Sequence, residues 1–350
     1  MSSRSSDRRL GSRARVALAL CTALAHAPAH AQPSEAAETE PASEVPERAN
    51  WRFRRDDRPV KVVVLAGSIG AFRRDPYSAH VERMCSEVEV RNLSKTGLGA
   101  WALRKRFADQ VVDNPGVRAR AAEDQEHWLV FGGGLNSVGA PFTTNHHIRR
   151  LFLLAHQNGF KVVGLTLTPW GDEADRRFRG LGGLEYRRAT QVVSNFVLGR
   201  LTPREALGNH ASSRGDTDAP WTTEELPDLA IDLYDSALRH HDAQPRDIAE
   251  MRKLLQADRS WQRAHADYDE ASRNLLLETA AAAAAELPRW YMRPELRSFD
   301  HIHPNAEGHR IIAEIMCPQL PESWGCRCTP TSQSEQSPDA GPDPLPGTDQ

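Results

Sequence analysis

The chain has 350 residues, of which 39% are hydrophobic and 26% charged, and its formal net charge is −3 at pH 7. This length and composition allow one large domain with a sizeable hydrophobic core. The acidic balance argues against a general nucleic-acid-binding protein, which would carry a basic face.

Residues 1–31 have the features of a secretory signal peptide. A basic start precedes the short apolar run Val16–Ala25 and the small-x-small cleavage motif Ala29-His30-Ala31. The apolar run is too short to span a membrane as a mature helix. We therefore expect an exported protein, periplasmic or extracellular, with no stable membrane insertion after cleavage. Because the segment carries five arginines and one aspartate, its removal takes the net charge from −3 to −7.

Two more segments are predicted to be disordered. Residues 32–50 form a linker rich in Glu, Pro, Ala and Ser, and residues 329–350 form a tail rich in Pro, Ser, Asp and Gly. The predicted folded domain is therefore residues 51–328.

Four cysteines remain after the signal peptide: Cys85, Cys317, Cys326 and Cys328. An even number in an exported chain predicts disulfides, although their pairing is left open. One bridge within the C-terminal group would pin the end of the chain. Zinc is the rival ligand, but the cysteine spacing matches no standard zinc site.

The first half of the domain alternates strand and helix patterns. Strands are predicted at Val60–Ala66, Val88–Asn92, Trp128–Phe131 and Lys161–Thr168. Helices are predicted between them, at Pro76–Ser86, Trp101–Val112 and Thr143–Asn158. This order implies a parallel sheet with helices on both faces.

The second half has a different pattern. From Glu185 to Leu287 the signals are almost only helical, including Arg246–Ala257 and Arg259–Leu287. We interpret residues 200–290, approximately, as a helical insertion or a set of peripheral helices. A last helix is predicted at Asn305–Met316.

Two short motifs at opposite ends of the domain supply the groups of a nucleophilic site. Ser68 lies in the turn Gly67-Ser68-Ile69-Gly70 directly after the first strand. Asp300 and His303 are three residues apart in one loop, so their side chains can hydrogen-bond. A carboxylate that orients an imidazole, whose other nitrogen faces a serine, is the arrangement that activates the serine. The turn after the first strand lacks the Gly-x-Gly-x-x-Gly pattern of a dinucleotide site, so we predict no cofactor.

Hydrogen-bond donors follow the second and third strands. Gly97 and Gly99 lie in the turn after the second strand, and Asn136 follows the third. Backbone N–H groups and asparagine amides are the donors that an oxyanion hole uses.

Four blocks in this order resemble the SGNH hydrolases, also called GDSL esterases and lipases. They are Leu65–Ile69, Asn92–Gly97, Gly134–Ser137 and Asp300–Asn305. The resemblance covers Val60–Pro169 and Asp300–Met316. It implies a three-layer, flavodoxin-like α/β fold in which the helical insertion precedes the Asp-x-x-His loop. It also implies ester hydrolysis without a metal or cofactor.

Residue by residue, the resemblance implies that Ser68 is the nucleophile, His303 the base and Asp300 the orienting acid. Ser68, Gly97 and Asn136 would form the oxyanion hole, with Gly99 as an alternative to Gly97. The chain departs from the family at Gly67 and Ser137, where the family has acidic residues. Neither is a catalytic group in this mechanism, so these departures bear on loop geometry.

The predicted function is that of an exported serine ester hydrolase acting on acyl or acetyl esters of a lipid or a carbohydrate. Its substrate would be a small-molecule or polysaccharide ester. The alternative is a catalytically silent surface or carbohydrate-binding protein that keeps the fold.

Overall fold

The computed structural model describes residues 51–118, 125–172, 175, 178, 180–241, 246–287 and 289–328. The predicted signal peptide, linker and tail lie outside these residues. Within the described ranges, no helix combines the length and the apolar character needed to cross a bilayer.

A five-stranded parallel sheet forms the centre of the domain. Its strands are β1 (Val60–Ala66), β2 (Val88–Asn92), β3 (Glu126–Gly132), β4 (Lys161–Leu165) and β5 (Leu229–Ile231). They lie in the order β2-β1-β3-β4-β5, and all neighbours are parallel. This is the flavodoxin-like order, and the predicted α/β fold class is confirmed.

Helices connect the strands, and further helices come after β5 in the chain. They are α1 (Tyr77–Met84), α2 (Ala100–Phe107), α3 (Pro115–Arg118), α4 (Pro141–Gln157), α5 (Gly180–Val197), α6 (Pro203–Leu207), α7 (Ile248–Ala257), α8 (Arg259–Ala264), α9 (Glu270–Glu286) and α10 (Ala306–Met316). A π-helical turn, Ala108–Val112, continues α2.

The sheet is buried on both faces. Every residue of β1 is buried, and successive side chains point to opposite sides. Val62 and Val64 pack in the apolar cluster that includes residues of α1 and α10. Val63 and Leu65 pack in a second cluster with residues of α2, α4 and α5. A strand buried on both faces reads as a continuous β-branched run, which is why β1 was predictable to the residue.

Two predicted elements differ in the structure. The strand predicted at Lys161–Thr168 ends at Leu165, because its partner β5 ends at Ile231, which pairs with Leu165. Beyond this pair, the Thr166 hydroxyl accepts the backbone N–H groups of Leu233 and Tyr234, at 2.8 and 2.9 Å. The interpretation of Glu185–Leu287 as helical is wrong at Leu229–Ile231, which forms β5 at the edge of the sheet. Three residues are too few to show strand periodicity in the sequence.

The long helix predicted at Arg259–Leu287 is two helices. α8 ends at Ala264, and α9 begins after Asp269, whose side chain accepts the Ser272 N–H at 2.9 Å. An aspartate that caps a new helix competes with continuation of the previous one.

Two disulfides fasten the C-terminal segment. Cys85, directly after α1, pairs with Cys326, and Cys317 pairs with Cys328. The pairing resolves what the sequence left open. Since α10 packs against α1, the bridges hold the region that follows the Asp300–His303 loop.

Candidate active site

The Asp300–His303 loop is held from both sides. Asn305 caps α10 by accepting the Gly308 N–H at 2.9 Å, and the Ser298 N–H donates to the His303 carbonyl at 2.7 Å. His301 has φ 65°, a left-handed conformation that costs a non-glycine residue energy. Its carbonyl accepts the Gly171 N–H at 2.7 Å, which ties the loop to the segment after β4.

A second tie holds the start of this loop. The Arg297 guanidinium pairs with the Asp172 carboxylate and also donates to the Gly171 carbonyl at 3.3 Å. Gly171 and Asp172 follow β4, and Arg297 lies three residues before Asp300. The loop is therefore positioned by the carboxyl end of the sheet as well as by α10.

Ser68 lies in a tight turn at the carboxyl end of β1. The Ala71 N–H donates to the Gly67 carbonyl at 3.2 Å, and the Asn92 side-chain amide donates to the Gly70 carbonyl at 2.8 Å. The loop after β2 comes so close that a Cβ at Gly70 would lie 2.4 Å from the Ser94 hydroxyl oxygen. Glycine is therefore required at this position, and the turn presents Ser68 with its backbone fixed.

Ser68, His303 and Asp300 form one hydrogen-bonded chain. The distance from His303 Nε2 to Ser68 Oγ is 2.7 Å, and that from His303 Nδ1 to Asp300 Oδ2 is 2.5 Å. An ionised carboxylate can only accept, so the Nδ1 of a neutral His303 carries the proton and its Nε2 is free to accept the serine hydroxyl.

Asp300 is kept ionised by its surroundings. Burial acts to raise its pKa, but hydrogen bonds from the His303 ring and from the backbone N–H groups of Ile302 and His303 outweigh burial. The two backbone donors lie 2.9 and 3.1 Å from Oδ1. The net effect is a pKa below the usual aspartate value, so the carboxylate is charged at neutral pH.

Asn136 belongs to the loop after β3 and lies beside the serine turn. Its side-chain amide donates to the Leu98 carbonyl at 3.1 Å, and a Cβ at Gly67 would lie 3.0 Å from the same nitrogen. The glycine at position 67 thus makes room for the Asn136 amide one residue before Ser68. Gly97 is exposed with φ +83°.

Ser137 has a structural role where the resembled family has an acid. Its hydroxyl accepts the Ala100 N–H at 3.2 Å and donates to the Gly134 carbonyl at 3.2 Å. Gly99, the residue before α2, has no side chain to cap the helix, and Ser137 supplies that acceptor from another loop. The loops after β2 and β3 are thereby fastened together.

An open cleft of about 420 Å³ lies against Ser68 and His303. Sequence reasoning missed several residues that line it, although Arg73 and Arg74 follow Ser68 closely in the sequence. Among the missed residues are Phe72, Arg73, Arg74, Thr96 and His309. Phe72 stacks on the His309 ring with centroids 4.4 Å apart, which gives the cleft an aromatic wall.

His309 is neutral in this wall. Burial is the main cause that lowers its pKa, to about 4; His80 and His303 act in the same direction, and the Asp75 carboxylate acts against them. Its Nδ1 accepts the Tyr77 N–H at 3.4 Å. A helical histidine facing inward carries no sequence signal that separates it from a core residue.

The comparisons with known proteins give distant structural likeness only. No family model and no curated protein matches the chain. A lipase/acylhydrolase from Enterococcus faecalis is 14% identical and covers 73% of this chain and 92% of its own, with a TM-score of 0.37. An acetylxylan esterase from Geobacillus stearothermophilus, solved as a catalytic mutant, is 14% identical, with coverages of 75% and 95% and a TM-score of 0.37.

A member of the lipolytic protein G-D-S-L family from Veillonella parvula is 13% identical, with coverages of 73% and 96% and a TM-score of 0.38. The chain is thus similar to these solved structures over about three quarters of its length. At this identity and TM-score the likeness assigns it no activity.

Proposed function

We propose that the protein is a serine ester hydrolase that works through an acyl-enzyme. The observation that carries this proposal is the hydrogen-bonded chain Ser68–His303–Asp300, which opens onto a cleft. A serine, a neutral imidazole and an ionised carboxylate in this order are the groups that acyl transfer needs.

In the acylation step, Ser68 Oγ attacks the ester carbonyl while His303 Nε2 takes the hydroxyl proton. Asp300 holds the His303 ring and stabilises the imidazolium that forms. The tetrahedral intermediate then breaks its bond to the alcohol oxygen, which leaves with the proton from His303 Nε2. The acyl group stays on Ser68.

Water then attacks the acyl-enzyme. His303 takes a proton from the water and returns it to Ser68 as the acid is released. The negative oxygen of both tetrahedral intermediates would be held by the N–H groups of Ser68 and Gly97 and by the Asn136 amide. Asn136 lies beside Gly67, within reach of the serine turn, which supports its assignment to this role.

We propose that the substrates are acyl or acetyl esters of a lipid or a carbohydrate. We also propose export, since the two disulfides suit an oxidising compartment and residues 1–31 resemble a signal peptide.

Labelling by a fluorophosphonate tests the proposal against a silent binding domain. The probe bonds covalently to an activated serine, so we expect one label per chain, on Ser68, and none on a folded Ser68→Ala variant. A folded wild-type protein that takes no label would be a binding domain instead. Circular dichroism of both proteins provides the folding control.

A further inference from the structure

The charged side chains that line the cleft beside Ser68 are all positive. Its lining includes Arg73 and Arg74, both exposed, and no aspartate or glutamate of the described residues. Neither arginine has an ion-pair partner within the part of the chain that the structure describes. Yet the chain as a whole carries a net charge of −3.

Asp75 and Asp300, which lie in the same two loops as the cleft residues Arg74 and His303, are already paired. Asp75, which directly follows Arg74, lies 3.0 Å from the His80 ring and 2.9 Å from the Arg83 guanidinium. Asp300 is bonded to His303 behind the serine. Within the described residues, Arg73 and Arg74 therefore line the cleft without an ion-pair partner.

The cleft lies on one side of the serine. It is bordered by His303, Ser298 and Pro304, whereas Asn136 and Gly97 do not border it. In the proposed mechanism His303 protonates the leaving alcohol, so this side receives the alcohol part of the ester. Phe72, which is partly exposed and stacks on the buried His309 ring, borders the same space and provides an aromatic contact for a ring-shaped alcohol.

We propose that the enzyme selects esters whose alcohol part carries a carboxylate, bound by Arg73 and Arg74. Guanidinium groups bind carboxylates with parallel hydrogen bonds. A positively charged cleft on a protein of net negative charge also concentrates anions at the site. This inference rests on the proposed function and adds the chemical class of the substrate.

The test uses two esters of equal shape, 3-acetoxybenzoate and 3-acetoxybenzamide, which differ in the charge of one substituent. We compare the wild-type protein with the double variant Arg73→Gln/Arg74→Gln and with Arg259→Gln. Arg259 is an exposed arginine at the start of α8 and provides the matched control. Comparing each variant with the wild type on the same ester cancels the different intrinsic reactivities of the two esters.

For the double variant we expect kcat/KM on the benzoate to fall by about three- to tenfold, which lies within the range of about two- to thirtyfold that two solvent-exposed ion pairs allow. On the benzamide it should stay within about twofold, and Arg259→Gln should change neither. About 0.5 M NaCl should weaken the wild-type preference, because salt screens exposed charges. An equal change on both esters, or no change on either, would overturn the proposal.

Binding separates this proposal from the proposed function. Saturation-transfer NMR with the Ser68→Ala variant measures binding of the two esters without hydrolysis. If the wild-type protein hydrolyses neither ester but the Ser68→Ala variant binds the benzoate in preference, through Arg73 and Arg74, then the esterase assignment fails and the anion site stands. If instead the wild-type protein hydrolyses both esters without any charge preference, the esterase assignment stands and the anion site fails.

Discussion

Replacement of Asp300 by asparagine tests whether Asp300 holds the His303 ring in the tautomer that can accept the Ser68 proton. Asparagine keeps an oxygen that can accept the backbone N–H groups of Ile302 and His303, so the loop should fold as before. Its amide nitrogen, however, would face His303 Nδ1 and cannot accept the proton there. The ring is then pushed towards the tautomer whose Nε2 carries a proton, which cannot take another from Ser68.

The expected loss of kcat can be worked out from the contact between the Asp300 and His303 side chains. Two unit charges 4 Å apart near a protein surface interact by about 4 kcal/mol. The Asp300 and His303 side chains are 31% and 34% exposed, so water offsets part of this interaction. A net loss of about 3–4 kcal/mol in the transition state corresponds to a fall in kcat of about 10²- to 10³-fold.

The assay is steady-state hydrolysis of p-nitrophenyl acetate, with thermal unfolding as the folding control. Asp267→Asn provides the matched substitution, since Asp267 is exposed and lies outside the site. A folded Asp300→Asn variant that keeps more than about a third of wild-type kcat would refute the reasoning, because the expected loss is at least about a hundredfold.

Three further predictions concern loop geometry and stability. Gly67→Ala should lower kcat about tenfold with little change in stability. The new Cβ would lie 3.0 Å from the Asn136 amide and displace this flexible side chain, which we assign to the oxyanion hole. An unchanged kcat would remove that assignment. Replacing Cys85 and Cys326 together by alanine should lower the free energy of unfolding in urea by about 2–5 kcal/mol, since this bridge closes a loop of 241 residues; a smaller change would contradict it. Burial acts to raise the pKa of Glu225, but bonds to two arginines hold it at about 2, below the unfolded value of 4.5. The stabilisation is therefore present above about pH 4.5 and is lost as the pH falls through about 2, a difference of about 3 kcal/mol that Glu225→Gln should abolish.

The sheet was predictable where one rule dominates. β1 and β2 agree with the sequence to the residue, because the largely β-branched run of β1 and the alternating valines of β2 are bounded by turn residues and leave few alternatives. β5 was missed because it has three residues and pairs with only one neighbour. β4 was predicted three residues too long, because β5 provides pairing partners only as far as Ile231, opposite Leu165.

The candidate site, like the sheet, could be predicted from the sequence only in part. The spacing of Asp300 and His303 predicts their contact, because three residues of one loop can bring the side chains together. Contact of His303 with Ser68 joins residues 235 positions apart and depends on the whole sheet. The cleft could not be predicted, since its walls come from loops whose approach no local pattern encodes.

The central claim is that Ser68 is the nucleophile of an ester hydrolase, and hydrolysis of p-nitrophenyl acetate by the wild-type protein and by Ser68→Ala tests it most directly. The account predicts turnover by the wild type and a loss of at least about 10³-fold in the variant, with unchanged thermal unfolding. Equal hydrolysis by the two proteins, or none by a folded wild type, would contradict the claim.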